Sequence, residues 1–216
     1  MELINRSKLG LVFLSLCCIS LIWFSVPKGI ASLYKLGIDN QFERTDEIDI
    51  QGLDELAEKL YQLDSSDPSN LLVIGYNKIH HGFSGGSRSR EHFEQAKKLT
   101  LEAIKLRPLD HVSYARLAYI EAYLNEDFSK VRIALNKAKQ VGPYESYTAS
   151  AGIDIYFSHW TELTNQEKID AVTYITQHGR YGLNLREIGL LVARSPLAST
   201  LCQVSKVKAL HLRSCR

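Results

Sequence analysis

The chain has 216 residues, 45% of them hydrophobic and 23% charged, a globular composition with room for about one domain that excludes a disordered or collagen-like polymer. Its formal net charge is only +2, and no block of lysine or arginine is interleaved with aromatics. Nothing in the composition therefore points to nucleic acid as a partner.

Residues 1–8 read as a short cytoplasmic tail and residues 9–27, LGLVFLSLCCISLIWFSVP, as a transmembrane anchor. The segment has no charged side chain and approaches the roughly 20 apolar residues that span a bilayer core. A cleaved signal peptide would have a shorter apolar stretch, about 7–15 residues, before a small-x-small site. Gly29-Ile30-Ala31 offers such a site, but Lys28 and the long core favour an uncleaved anchor. Leu16 and Cys17 are not the small residues that a lipidated cysteine needs before it, and Trp23 suits the membrane interface. Arg6 and Lys8 on one flank are matched by Lys28 and Lys35 on the other. A very short N-terminal tail stays in the cytoplasm, which in a bacterium places the remainder outside the inner membrane. Cys202 and Cys215 are the two cysteines of the body, and they suit either a disulfide in an oxidising compartment or two free thiols.

Residues 28–45 read as a linker and 46–213 as a helical domain. Leu53, Leu56, Ala57, Leu60 and Leu63 share one face of a helix over 49–63, which ends at Ser-Ser-Asp-Pro. LLVIGY, 71–76, is the one stretch with some strand character. GFSGG, Gly82 to Gly86, follows it and fits the G-x-S-x-G pattern of a serine nucleophile elbow. Thr164-Asn-Gln-Glu167 reads as a capping box ahead of Ile169, Val172 and Ile175, with Gly179 as the stop. Two further helices are expected over 184–194 and 196–211, the second opened by Ser195-Pro196. The fold class is all-α.

Spacing turns these helices into an architecture. Ala96, Ala103 and Pro108 stand at intervals repeated by Val131, Ala138 and Pro143. The preceding helices offer Leu71, Ile74, Gly75 and then Tyr114, Leu117, Ala118, again at matching spacing. Here the chain resembles the tetratricopeptide repeat, well over 68–143 and loosely over 144–180. The resemblance implies antiparallel hairpins in which small residues let helices A and B approach, large ones fill the gap between hairpins, and proline closes helix B. On this register Leu71, Ile74 and Gly75 belong to helix A, and the extra residues between the first two helices fall on HGFSGGSRS. Ser84 is then a loop residue, and no catalytic set is assigned. The turn's Gly85, Gly86, Arg88 and Arg90 allow a phosphate cradle at a helix start or a solvated loop.

No metal or cofactor site is expected. His80, His81 and His92 lie close in the sequence, but neighbouring helical histidines point about 100° apart and no cysteine or acid completes a metal-binding spacing. In the repeat class helix A lines the concave face, and carrying its contact positions over gives Tyr76, Ile79 and His80, then Arg116, Tyr119 and Tyr123, then Tyr147 and Asp154. These residues would form a groove for a protein partner. The alternative is that the tyrosines pack between hairpins or against the C-terminal helices.

An N-terminal anchor, one short TPR-like array and the closing segment NLREIGLLVARSPLASTLC together are similar to the VpsP-type proteins of bacterial exopolysaccharide clusters. That likeness implies an accessory role, holding polysaccharide polymerase or export components at the inner membrane. A general periplasmic or inner-membrane assembly factor of the same build is the alternative, and a serine hydrolase using Ser84 is the enzymatic one.

Overall fold

The computed structural model describes residues 2–43, 50–124, 127–208 and 210–215. Its secondary structure is helical throughout, with ten α-helices and no strand among the described residues. The helices are α1 (Glu2–Glu43), α2 (Ile50–Leu63), α3 (Pro68–Phe83), α4 (Ser89–Leu106), α5 (His111–Leu124), α6 (Phe128–Val141), α7 (Ser146–Ser158), α8 (Asn165–Thr176), α9 (Leu185–Arg194) and α10 (Ala198–Val207). The chain divides into two compact units after Asn77, within α3.

In the first unit α1 is a single helix of 42 residues that carries Pro27 inside it. Proline lacks an amide hydrogen and removes one helical hydrogen bond, yet the helix continues through it. Val12–Phe42 holds a stretch long and apolar enough to cross a membrane, none of it buried. Phe13, Leu14, Leu21, Ile22, Trp23 and Phe24 stand exposed on all sides, as in a helix whose solvent is lipid. Of the linker expected over 28–45, residues 44–45 lie outside the described residues, and 28–43 are the helical continuation of α1. That half packs on α2, burying Ala31 and Ile38, two residues seven apart that share a helix face. Leu53, Ala57 and Leu60 of α2 and Leu71 and Ile74 of α3 are also buried. LLVIGY is accordingly helical, part of α3.

The second unit is built from consecutive hairpins. α4 packs on α5 and α5 on α6. The first pair is antiparallel: Arg90 Nη1, near the start of α4, donates to the carbonyl of Leu124 at the end of α5, at 3.3 Å. Ala96, Ala103, Ala118 and Ala138, small residues that mark the spacing, are completely buried, as is Ala115, and they let the helices close. α7 then packs on both α5 and α8. Ile153, Tyr156, Phe157, Tyr174, Ile175, Ile188 and Val192 form the main core with Leu135 of α6.

Helix ends follow local chemistry, with small shifts. The Thr164 and Glu167 capping box forms as expected, and a second one pairs Asn184 with Glu187 at the start of α9. α8 ends at Thr176 rather than at Gly179, and the left-handed position falls to Gly182 after a short 3-10 turn. Ser195 accepts from the amide of Leu197 at 3.1 Å, so Ser195-Pro196 makes a turn and α10 starts only at Ala198. A disulfide joins Cys202 of α10 to Cys215, which closes the tail back on the helix.

A candidate partner-binding face on α5 and α7

α5 runs from His111 to Leu124, and on it Arg116, Tyr119 and Tyr123 recur at spacings of three and four, which places them on one stripe. On α7, Tyr147 and Asp154 lie two turns apart, on one face. A hydrogen bond joins the two stripes: Tyr119 Oη donates to Asp154 Oδ2 at 2.9 Å. Burial, and then the Asp154 carboxylate beside it, hold the Tyr119 phenol well above its ordinary range. Tyr119 is therefore a phenol at any physiological pH and acts as the donor. Burial followed by Asp154 raises the Tyr123 phenol too. Tyr147 and Tyr119 pack at the edge of a small cluster of Ala115, Ala138 and Ala151.

Five of the eight expected groove residues are thus Arg116, Tyr119, Tyr123, Tyr147 and Asp154, and they belong to these two facing stripes. The tyrosines of these stripes combine packing with exposure. Tyr119 and Tyr147 are half-buried and structural on one side. Tyr123 is 54% exposed while its ring stacks on Phe93 at 5.1 Å and meets Phe83 edge-on at 4.7 Å.

The remaining three are on α3. Tyr76 lies in the first unit, edge-on to Phe42 at 4.6 Å. Ile79 is a core residue, not a groove residue: it is 5% exposed and packs with Phe93, Ile120 and Leu124. The reason is the approach of α4. A β-carbon at Gly82 would stand 2.6 Å from the Phe93 ring, so glycine there lets Phe93 cover that side of α3. His80 is half-buried beside His81, and burial first, then His81, lower its imidazole pKa.

The glycine-rich turn does not build an elbow, because a helix and not a strand precedes it. Ser84 Oγ donates to the carbonyl of His80 at 3.0 Å. Gly85 and Gly86 take φ of 80° and 113°, a region side chains disfavour. Arg90, a candidate cradle residue, is turned to Leu124. His81 and His92 do meet, their rings stacked at 5.0 Å and 26°, but stacked rings present faces rather than converging lone pairs. No three histidine, cysteine or acidic side chains gather as metal ligands among the described residues.

A feature not foreseen from the sequence lies on the other stripe of α5. Tyr114, Leu117 and Glu121 line a cleft of about 560 Å³ with Lys130, Ile133 and Lys137 of α6. Ile133 is 70% exposed. Leu117 and Tyr114 were expected to be covered by the neighbouring hairpin; their spacing alone does not distinguish a covered from an open face. Comparison with protein families, curated proteins and solved structures gave no match.

Proposed function

We propose that the chain is a membrane-anchored helical scaffold whose second unit binds a protein partner through Arg116, Tyr119, Tyr123, Tyr147 and Asp154. The observation that carries this reading is the Tyr119–Asp154 bond, which holds two stripes of aromatic and charged side chains as one surface. Fixed phenol rings add contact area at low entropic cost, and a guanidinium and a carboxylate supply orientation. The exposed apolar length of α1 supports the anchor. The Cys202–Cys215 disulfide favours an oxidising compartment, hence a periplasmic body. Small alanines at the hairpin crossings support the tetratricopeptide-like register. The place in exopolysaccharide production rests on the whole-chain likeness to VpsP-type proteins.

The test is a crosslinking pull-down of the anchored chain from its native membrane with mass spectrometry. Arg116→Ala combined with Tyr123→Ala is expected to abolish recovery of the partner while far-ultraviolet dichroism is unchanged. Recovery of glycosyltransferases, a polymerase or export proteins supports the exopolysaccharide role; unrelated assembly machinery would replace that pathway while keeping the scaffold. A partner equally recovered by the double variant would discard this face.

A further inference from the structure

The last segment of the chain differs in charge from the rest. Residues 184–216 carry six lysines and arginines against a single acid, Glu187. That carboxylate is engaged in the α9 cap, accepting from the Asn184 amide at 2.9 Å. The disulfide holds the tail against this region, and the 3-10 turn at Arg213–Cys215 packs on α9. Between them is a cleft of about 540 Å³ lined by the apolar Leu185, Leu190 and Ala193 together with Arg186, His211 and Arg213. Leu190 is 50% exposed. Neither Arg186 nor Arg213 is in an ion pair among the described residues.

A cleft lined by exposed leucines and by arginines that are in no ion pair among the described residues matches a surface that is itself apolar below and anionic above. That is the chemistry of an acidic phospholipid leaflet. The chain already carries a helix fit to cross a membrane, and a tether to the bilayer raises the effective concentration of lipid at any other site of the same molecule. We infer that the α9 and tail cleft is an anionic phospholipid contact, with Arg186 and Arg213 meeting head-group phosphates and Leu185 and Leu190 entering the acyl boundary. This contact is additional to the partner face on α5 and α7 and does not depend on it.

The experiment is hydrogen–deuterium exchange on the full chain in non-ionic detergent micelles, titrated with short-chain phosphatidylglycerol, phosphatidylcholine of equal chain length, inorganic phosphate, or a glutamate-rich peptide. Phosphatidylglycerol is expected to protect residues 185–194 and 213–215, and added salt to weaken the effect by screening. Arg186→Gln with Arg213→Gln should raise the phosphatidylglycerol concentration needed by about 25-fold, near five-fold for each cation at such a surface. Arg186→Lys with Arg213→Lys should protect like the parent, which separates loss of charge from loss of fold. Equal protection by phosphatidylcholine, by inorganic phosphate alone, or by the peptide where phosphatidylglycerol gives none would overturn the inference. So would a glutamine variant that binds like the parent, or a lysine variant that does not.

Discussion

Asp154 is the residue that ties α7 to α5, because its carboxylate accepts from the Tyr119 phenol of that neighbouring helix. A buried phenol in a hydrogen bond to a carboxylate contributes about 1.5–3 kcal/mol, whereas a fully exposed one contributes little. Tyr119→Phe keeps the ring in place and removes only the donor. It is expected to lower unfolding free energy by about 1–3 kcal/mol in urea denaturation; an unchanged midpoint would mean that water replaces the phenol without loss. Truncation of Tyr119 to alanine should cost more, since its ring also packs near Ala115 and Ala138. The Tyr123 ring packs too, on Phe83 and Phe93, but it is 54% exposed, so Tyr123 together with Arg116 is the better probe of recognition.

Between helices, two kinds of contact decide stability. The first is close approach: α4 packs on α5 with Ala103 fully buried. Ala103→Trp should overpack that site and cost about 1–3 kcal/mol or more, read as a lowered melting temperature; a variant as stable as the parent would reject the packing. The second is the ion pair between α6 and α8, in which Arg132 Nε donates to Glu167 Oε1 at 2.7 Å. Burial alone would raise the Glu167 pKa, but hydrogen bonds from Arg132 and from Thr164 outweigh it and hold the carboxyl below its ordinary range. A carboxyl depressed on folding stabilises the native state above its unfolded pKa, and that contribution disappears as pH falls through the lower native value. Melting temperature should therefore stay level with respect to this group down to about pH 5 and fall below about pH 4. Glu167→Gln is expected to lower melting at neutral pH and to flatten the acid limb. An acid limb identical in the variant would assign the pH dependence to other groups.

For the whole molecule, the decisive property is whether α1, which holds a stretch long and apolar enough to cross a membrane, stays in one. An uncleaved α1 predicts that the full-length chain, with the mass of all 216 residues, stays in the membrane pellet after alkaline carbonate extraction. A shortened chain in the supernatant would show that the segment is a signal peptide instead. The helical class and the apolar N-terminal segment were legible in the sequence, as were the Thr164 capping box and the buried alanines. Each depends on composition or on spacing within a few turns. Which of the eight residues chosen from the repeat register share a face was legible only in part. Five residues at helical spacing reached two facing stripes, while Ile79, chosen by the same rule, is buried because Phe93 folds over it from α4. The linker was misjudged because charged and polar residues after Lys28 conceal Ala31 and Ile38, which α2 covers.

Local regularities thus determined what kind of element each stretch forms, since helix capping, apolar length and side-chain period act through neighbours in the chain. Tertiary structure alone decided which face of each element meets water. The open cleft beside Ile133, the Tyr119–Asp154 bond and the cationic cleft on α9 all arise from residues distant in sequence. Exposure is a property of what packs against a residue, and that partner is chosen only when the helices close on one another.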